Sequence, residues 1–436
     1  MASTKISRTF STATSAKKFT LSVWVKRSKL DSEQQIFSRS AGQAQLYING
    51  GNKLQFYDQT SGHNFRTNRL FRDTSAWYHI VVAVDTTQST ASNRNKIYIN
   101  GVQETSFEVE TNATQNNDTA YNISGITYDI GAYNNAYYWN GYMSHFHFID
   151  GTMYTASPFG STDATTGEWK INATPTVTYG NNGFFILKDG NSVTDQSGNS
   201  NNGTASGNLT NSEDCPSNVF ATINILGRQA AGYTIENGNL STNGNGSNIW
   251  RGLYGTIGAS SGKFYYEFKL NTTYSNSGNS IEVGVADAES VLQITSSNGR
   301  IANSVRGYSY EQGGTKRNNG SSTSYGNRIN VGDIVGVAVD LDNSKLYFHR
   351  NGTYENSGDP TSGSTGTGAI DIASGYTYLP AFSTYYSADD IQLNFGNGYF
   401  GTTAISSEGT NASNNGKFEY DVPAGYTAFS TKGLNL

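Results

Sequence analysis

Tyrosine and asparagine side chains cluster in one short stretch, GAYNNAYYWNG, residues 131–141. A flat phenol ring can lie under the apolar face of a pyranose, while amide side chains form hydrogen bonds with the sugar hydroxyls. The stretch therefore predicts a carbohydrate-binding loop, with candidate residues Tyr133, Asn134, Asn135, Tyr137 and Tyr138. The alternative, tyrosines that pack against a neighbouring subunit or strand, stays open.

Two later stretches carry similar side chains. EQGGTKRNNGSSTSYG, residues 311–326, places Lys316, Arg317 and Tyr325 among small polar residues, and YLPAFSTYYSADD, residues 378–390, places Tyr385 and Tyr386 near an aspartate. These five residues are further candidates for ligand binding. A solvated loop is the alternative interpretation of both stretches.

Metal binding and covalent chemistry are not favoured. His145 and His147 share one face of a predicted strand, and such a pair can bind zinc, but no third ligand stands at a suitable spacing. Cys215 lies in a turn without a histidine near it in sequence, which favours an inert residue over a nucleophile. No glycine-rich phosphate loop lies between a strand and a helix. The sequence therefore predicts no cofactor and no metal.

The composition favours strands over helices. Among 436 residues there are 49 Gly and 6 Pro, aromatic residues make up 13% and charged residues only 14%. Many short strands joined by polar turns give this profile, and the length predicts two domains. A net charge of -5 without acidic or basic blocks offers no footprint for nucleic acid or an anionic membrane.

Two hairpins stand out in this pattern. HIVVAVD (79–85) is followed by NRNKIYINGVQ (93–103), and DIVGVAVD (333–340) by DNSKLYFHRNG (342–352). Apolar side chains alternate in each strand, and the Asn-Gly pair supplies the positive φ angles of a tight turn. FTLSVWV (19–25) alternates in the same way and predicts a core strand. The expected fold class is all-β, with two tandem antiparallel β-sandwich domains.

The boundary between the domains is placed near residue 218. Charge and hydrophobicity fall from Thr174 to Asn218, and only GFFILKDG interrupts a turn-rich segment that predicts a linker. Within it, GFFIL is apolar enough to be a last strand of the first domain. The expected domains are residues 1–218 and 219–436. Because the N-terminus lacks the apolar core of a signal peptide, and no apolar run of about 18 residues occurs, we expect synthesis as a soluble cytoplasmic product without membrane insertion.

The second half resembles the SPRY family over about 180 residues. The motifs that carry the resemblance keep the family's order and spacing: GKFYYEF (262–268), VGVAD (283–287), GYSY (307–310), GDIVGVAVDLDNSKLYFHRNG (332–352) and LPAFS (379–383). The resemblance implies a β-sandwich that binds partners through loops at one end, which supports the candidates in the second half.

The first half resembles the laminin-G or concanavalin A-like jelly roll over about 190 residues. The resemblance rests on FTLSVWV, on WYHIVVAVD with KIYING, and on IGAYNNAYYWNGYMSHFHFIDG. It implies a second jelly-roll sandwich and raises two functional questions. Some such folds hold calcium on the rim of the sandwich, and the candidate ligands in this sequence are Asp58, Asp85 and Asp129. Single aspartates at strand ends, however, are more typical of turns. Hydrolases of this fold carry a Glu-x-Asp-x-Glu strand, which this sequence lacks, so an enzyme is not expected.

Three further phrases resemble structural proteins of tailed bacteriophages: DQSGNSNNGTASGN (195–208), CPSNVFATIN (215–224) and FEYDVPAGYTAFSTKGLN (418–435). The resemblance implies a non-enzymatic protein of the virion surface, made in the host cytoplasm, that serves as a tail fibre or adhesin recognising host surface glycan. Its expected partners are that glycan, other virion proteins and further copies of itself, with a homotrimer as the first expectation. The alternative is a capsid-decorating or virion-assembly protein that does not bind the host.

Overall fold

The computed structural model describes residues 3–39, 42–188, 192–227, 232–244, 248–274, 278–293 and 299–436. Contacts divide the chain into two compact units, Met1–Asn211 and Ser212–Leu436, while the sequence places this boundary near residue 218. No helix among the described residues is long and apolar enough to cross a bilayer.

The first unit is built from strands. In chain order they are β1 (Lys5–Thr9), β2 (Lys18–Arg27), β3 (Gln34–Arg39), β4 (Ala44–Ile48), β5 (Lys53–Asp58), β6 (His63–Leu70), β7 (Tyr78–Asp85), β8 (Asn95–Ile99), β9 (Val102–Gln103), β10 (Phe107–Thr111), β11 (Thr127–Ile130), β12 (Gly141–Asp150), β13 (Gly160–Thr162), β14 (Trp169–Ile171), β15 (Phe184–Ile186) and β16 (Thr204–Ser206), with a 3-10 turn at Ala91–Asn93.

Two sheets of the first unit enclose its core. An eight-stranded sheet has the order β10-β6-β5-β4-β3-β11-β1-β16, and a six-stranded sheet the order β15-β12-β2-β7-β8-β9. The apolar alternation of β2 points Phe19, Leu21 and Val23 inward, where they are at most 1% exposed. Phe19 lies 6.4 Å from Phe56 of the opposite sheet between ring centroids, so the two inner faces interdigitate as in a sandwich.

The second unit repeats this construction. Its strands are β17 (Tyr233–Glu236), β18 (Ser241–Gly244), β19 (Arg251–Tyr254), β20 (Lys263–Thr272), β21 (Ile281–Asp287), β22 (Gly307–Glu311), β23 (Thr315–Asn318), β24 (Ser321–Ser324), β25 (Ile334–Asp340), β26 (Lys345–Arg350), β27 (Thr353–Tyr354), β28 (Ile370–Asp371), β29 (Tyr378–Thr384), β30 (Asp390–Asn394), β31 (Tyr399–Phe400), β32 (Thr403–Ala404) and β33 (Thr427–Ala428). One short helix, α1 (Ala288–Gln293), and 3-10 turns at Ile301–Asn303, Glu355–Ser357, Gly363–Thr365 and Gly433–Asn435 complete it.

Two sheets face each other here as well. One follows the order β17-β18-β30-β20-β25-β26-β27, with β28 and β33 attached, and the other the order β19-β29-β21-β22-β23-β24. Phe268 of β20 and Phe382 of β29 meet across the core with ring centroids 6.4 Å apart. The pairings are antiparallel apart from the short β20–β33 pairing. The all-β fold of two tandem sandwiches is therefore confirmed.

The segment predicted as a linker is folded onto the first unit. β15 pairs with β12, and β16 pairs with β1. Asp195 fixes the turn between them, since its carboxylate accepts hydrogen bonds from the backbone N–H groups of Phe185 and Asn201, both at 2.8 Å. The glycine- and asparagine-rich composition thus encodes tight turns rather than a flexible tether.

Candidate functional site

The stretch between β11 and β12, residues 131–140, forms a compact loop that we call the tyrosine loop. Asn134 and Asn135 both have positive φ, 51° and 53°, at the two central positions of a tight turn. Tyr133 and Ala136 close this turn by exchanging backbone hydrogen bonds of 3.0 and 2.8 Å. Asparagine tolerates such backbone angles better than most residues, so the Asn-Asn pair sets the local geometry.

Further contacts fix the tyrosine loop to the eight-stranded sheet. Gln35 donates its backbone N–H to the carbonyl of Tyr137 at 2.9 Å, and Ser38 Oγ donates to the carbonyl of Ala132 at 2.7 Å. Gly42 lies against the Tyr133 hydroxyl, where a Cβ atom would be only 2.5 Å away. The loop is therefore held in one conformation, which lowers the entropy lost when a ligand binds.

The loop presents an aromatic surface beside amides. The ring of Tyr137 is stacked on that of Tyr133 at 6.2 Å between centroids and 25° between planes, and Tyr137 is 50% exposed. Asn134 and Asn135 are exposed, and Tyr138 is half-buried. All five residues predicted in this loop thus lie together at the surface. The arrangement offers a ring face and amide groups to a sugar.

The grouping of Lys316, Arg317 and Tyr325 in one loop is wrong. Lys316 and Arg317 lie in β23, whose successive side chains point to opposite faces of the sheet. Tyr325 is only 7% exposed and packs its ring edge-on to Tyr310 in the core. Lys316 Nζ lies 5.8 Å from the Tyr325 ring centroid, so it covers the core edge, and Arg317 points to the other face.

Arg317 belongs to a buried charge network on the outer face of the six-stranded sheet of the second unit. Glu282 and Glu311 face each other directly across β21 and β22, and both accept contacts from Arg300, that to Glu282 at 3.3 Å. Arg317 lies 3.9 Å from Glu311 and donates two hydrogen bonds to Asn303. Burial, followed by the charge of Arg300, lowers the pKa of Arg317.

The two carboxylates are the nearest approach to an acid–base pair on this surface, but they are closed off. The Glu282 and Glu311 side chains are 0% and 1% exposed. Burial raises the pKa of Glu282, while Arg300 opposes that shift. Since Arg300 bridges both carboxyl groups and they are almost completely shielded from solvent, the arrangement holds segments together rather than offering a hydrolytic cleft.

An aromatic row continues from this network, formed by Trp250, Tyr385, Tyr386 and Tyr274. The guanidinium carbon of Arg300 lies 4.0 Å from the Trp250 ring centroid. Successive ring centroids along the row are then 5.6, 4.8 and 4.7 Å apart. Tyr274 is 70% exposed. Arg300 and Trp250 thereby connect two predicted residues, Arg317 and Tyr385, through a chain of side-chain contacts.

The aspartate beside the predicted tyrosines has a structural role. Asp389 is fully buried, and its carboxylate accepts the backbone N–H groups of Tyr385 and Tyr386 at 3.2 and 2.8 Å. It also accepts the Thr273 hydroxyl at 2.7 Å. Asp389 therefore fixes the turn that presents the two rings and does not itself face a ligand.

Sequence reasoning missed Trp250, Arg300, Glu282 and Glu311. The signal for the carboxylates is weak, since a glutamate at the outward position of an amphipathic strand is ordinarily solvated. Here residues 299–303 cover them: Ile301 donates its N–H to Ser383 Oγ at 2.9 Å, and that hydroxyl donates to the carbonyl of Gly299 at 2.9 Å. Only the tertiary contact makes these residues one network.

Three histidines meet on the outer face of the six-stranded sheet of the first unit. His79 and His147 are buried, and the pKa of each is lowered by burial and by the nearby His145, that of His79 to about 3. The indole N–H of Trp169 donates to His79 Nδ1 at 3.0 Å. Because indole is a donor only, this nitrogen carries no proton and His79 is neutral. Within the described ranges, no group of three His, Cys, Asp or Glu could hold a metal ion.

The three aspartates considered for calcium lie in separate hydrogen-bond networks. Asp58 is fully buried and accepts three backbone N–H groups, including that of Ala120 at 2.8 Å. Asp85 accepts the Thr87 hydroxyl at 2.6 Å, and Asp129 pairs with Lys5 at 2.9 Å. Each carboxylate therefore stabilises its own turn or strand pairing.

Two family models match the chain. Residues 3–157 match the concanavalin A-like lectin/glucanases superfamily (Laminin_G_3), and residues 263–398 match the SPRY domain. These matches confirm both domain types predicted from the sequence. No curated protein matches the chain.

Three solved structures are among those similar to the chain. The SPRY domain of human HERC1 is 15% identical, with 39% of this chain and 93% of that chain covered and a TM-score of 0.28. The TRIM65 PSpry domain is 12% identical, with 40% and 88% covered and a TM-score of 0.29. Stonustoxin is 16% identical, with 41% and 27% covered and a TM-score of 0.30.

Proposed function

We propose that this chain, a concanavalin A-like domain followed by a SPRY domain, is a non-enzymatic tail-fibre-like adhesin of a phage virion that recognises host surface glycan. The two domain types fit a binding role. The observation that carries the proposal is the tyrosine loop. Its half-exposed Tyr137 ring, stacked on Tyr133 and flanked by two exposed asparagines, has the chemistry of a sugar site.

The arrangement of carboxylates supports a non-enzymatic role. Glycoside hydrolysis uses two carboxyl groups that flank the scissile bond within reach of substrate and water. Glu282 and Glu311 face each other but are buried and share Arg300. Glu267, another buried carboxylate, is fully occupied by backbone and side-chain donors. The contacts of these three carboxyl groups are therefore structural ones within the chain, and none of the three faces a substrate cleft.

The virion context is supported by the resemblance of residues 195–208, 215–224 and 418–435 to phage structural proteins. The expected location is the virion surface, and the expected partners are other virion proteins, host glycan and further copies of the chain, with a homotrimer first. A repeated display suits a shallow site like the tyrosine loop, because several weak contacts engaged together give a high overall avidity.

An assembly protein that decorates a capsid or joins virion parts is the second candidate. The aromatic row of the second unit favours it, since Tyr274 is 70% exposed and adjoins three further rings whose planes are tilted against one another. A tilted ridge suits burial in a protein interface better than stacking of a flat sugar ring.

The first experiment compares host-cell binding by the purified full chain with that of a variant carrying Tyr133→Ala, Tyr137→Ala and Tyr138→Ala. We expect binding to fall at least about tenfold, because the ring platform is lost while the backbone turn remains. Tyr274→Ala is the matched control, an exposed tyrosine outside the loop, and should bind like wild type.

Two results would count against the adhesin. Absence of wild-type binding to host cells and glycans would contradict it. Loss of particle incorporation or oligomers in Tyr274→Ala, with host binding absent throughout, would favour the assembly role. Circular dichroism and the melting temperature of each variant establish that the sandwiches remain folded.

A further inference from the structure

The outer face of the eight-stranded sheet in the first unit carries an unusual set of side chains. Strand register places two rows across β3, β4, β5 and β6 on the face opposite the core. Seven uncharged polar residues make up the centre of these rows, which we call the amide–tyrosine face: Gln35, Ser38, Gln45, Tyr47, Gln55, Tyr57 and Asn64. Three of them, Gln35, Ser38 and Gln55, are buried and support the other four, which are half-buried and reach the surface.

The amides of this face are fixed before any ligand arrives. Gln35 Nε2 donates to Gln45 Oε1 at 3.0 Å, and Gln55 Nε2 donates to Asn64 Oδ1 at 3.1 Å. Arg66 Nε donates to Gln55 Oε1 at 3.1 Å. Since these bonds set the direction of each amide, the groups that remain outward have defined positions and lose little freedom on binding.

Other polar groups on the face remain available. Within the described part of the chain, neither the Tyr47 hydroxyl nor the Tyr57 hydroxyl makes a hydrogen bond, and Asn64 Nδ2 donates to no acceptor. The two tyrosines are half-buried, so part of each side chain reaches the surface. Rings and amides in alternation are the groups that contact the faces and hydroxyls of sugars.

Charges lie only at the edges of the face, and they are engaged. Arg66 and Lys53 both contact Glu108, at 3.3 and 2.8 Å. At the other edge, Glu33 accepts a hydrogen bond from Gln35 Nε2 at 3.2 Å, and Arg39 contacts Gln43. Lys53 and Arg66 are thus paired with a carboxylate, and Arg39 with a neutral amide at the edge. The centre of the face carries no charged side chain among the described residues, which suits a neutral ligand better than an acidic one.

The face is continuous with the tyrosine loop. Two of its members hold that loop: Gln35 through the carbonyl of Tyr137, and Ser38 through the carbonyl of Ala132. From β3 to β6 the face crosses three strand spacings, about 14 Å. A linear ligand that contacts Tyr137 at one end can therefore extend over Tyr57 without leaving the protein.

We propose that the ligand of this site is an uncharged glycan chain of several sugar rings, which binds the tyrosine loop at one end and lies across the amide–tyrosine face. This inference rests on the proposed function and adds the class of glycan and its path. A protein partner fits less well, because the face has no apolar centre besides two phenol rings.

The test uses the full chain on an array of neutral hexose and N-acetylhexosamine oligomers, from single sugars to hexasaccharides, beside sialylated and uronic acid oligomers. Affinity should rise with the length of a neutral chain. Tyr57→Ala should remove that gain, lowering affinity for the longest chain about three- to tenfold and leaving single sugars unchanged. Tyr137→Ala should weaken binding at every length.

A second variant separates charge from shape. Gln45→Glu keeps an oxygen acceptor for Gln35 Nε2 but adds a negative charge, and we expect it to weaken neutral chains of several rings and not single sugars. Tyr376→Ala, a partly exposed tyrosine of the second unit, is the control and should behave as wild type. Melting temperatures confirm folding of each variant.

The outcomes distinguish the two proposals. If the wild-type protein binds no glycan, both the proposed adhesin function and the proposed path of the glycan across the amide–tyrosine face are overturned. Binding that is lost in Tyr137→Ala, but shows no dependence on chain length and no effect of Tyr57→Ala, would overturn the path alone. A preference for acidic oligomers would overturn the neutral class and leave the tyrosine loop as a glycan site.

Discussion

The two units contain the same hairpin in different surroundings. β7–β8 and β25–β26 both end in an Asn-Gly turn, with φ of 48° and 79° at Asn100 and Gly101, and of 51° and 82° at Asn351 and Gly352. In each, the asparagine Oδ1 accepts a backbone N–H near the start of the first strand of the hairpin, from His79 at 2.7 Å or Ile334 at 2.9 Å. A short local sequence therefore produces the same structure twice.

The segments that cover the hairpins differ. In the first unit Trp169 lies against Gly101, and its indole donates to His79. In the second unit Tyr420 lies against Gly352, and Glu267 accepts the backbone N–H of Tyr420 at 2.9 Å. One cover is held by a neutral histidine and the other by the carboxyl group of Glu267. The same hairpin is therefore covered by segments whose anchoring groups, His79 and Glu267, have pKa values shifted by burial in opposite directions, the first lowered and the second raised.

The largest expected effect is a selective loss of stability of the first unit in acid. Burial lowers the pKa of His63 and His79 to about 3 and that of His147 well below its usual value. Below pH 6.5 the unfolded chain binds protons that the folded histidines do not. Each of the three histidines therefore lowers the free energy of unfolding of the first unit by about 2 kcal/mol at pH 5. Burial raises the pKa of Asp58 to about 6, so its protonation in the folded state increases the free energy of unfolding by about 1 kcal/mol over the same range.

The second unit should change little over that range. Burial lowers the pKa of His349 to about 3, which again costs about 2 kcal/mol by pH 5. Burial raises the pKa of Glu267 to about 7, so folding is favoured as the pH falls below 7 and the two effects nearly cancel. Calorimetry of the full chain at pH 7 and pH 5, with transitions assigned by hydrogen exchange, checks this. Equal shifts of both transitions would contradict the comparison.

A second prediction removes the carboxylate that holds the cover of the second unit. Glu267→Ala leaves the N–H groups of Glu419 and Tyr420, the Tyr265 hydroxyl and the Asn394 amide without their acceptor. We expect the free energy of unfolding of the second unit to fall by about 3 kcal/mol and that of the first unit to stay unchanged.

Hydrogen exchange gives the local readout for Glu267→Ala, because the amides of residues 418–421 should exchange faster than in wild type. Glu289→Ala removes a carboxylate whose side chain is 69% exposed and serves as the matched control. An unchanged second transition in Glu267→Ala would show that the cover is held by its apolar contacts alone.

The smallest predicted effect compares the two turn glycines. Both require positive φ, so alanine at either position costs about 1 kcal/mol from the backbone. A Cβ atom on Gly101 would lie 2.3 Å from Trp169 Cε3, whereas one on Gly352 would lie 2.9 Å from Tyr420 Cδ1. Gly101→Ala should therefore destabilise its unit by about 1 to 2 kcal/mol more than Gly352→Ala does. Chemical denaturation of both variants measures the difference, and equal losses would exclude the covering rings as its cause.

The sequence predicts the local elements of this protein well. FTLSVWV lies within β2, and KIYING and KLYFHRNG follow their predicted strands into Asn-Gly turns. The tyrosine loop is predicted as a unit because its five candidate residues are neighbours in the chain and the Asn-Asn turn fixes how they are presented. Such features depend on backbone angles over a few residues, which the residue types themselves restrict.

Surfaces made from distant segments are not predicted in this way. Lys316, Arg317 and Tyr325 are close in sequence, but strand alternation and core packing separate them. Arg317 and Tyr385 are far apart in sequence, yet Arg300 and Trp250 connect them. Here proximity along the chain is a poor guide, because sheet pairing decides which side chains share a face.

By itself the sequence determines an all-β chain of two sandwiches, the hairpin turns and the chemistry of the tyrosine loop. The tertiary structure decides that the turn-rich segment around Asp195 is folded, that Glu282 and Glu311 are buried, and that seven uncharged polar side chains form one face. The physical reason is that turns are set by local backbone geometry, whereas burial and shared surfaces depend on the pairing of strands that are distant in the chain.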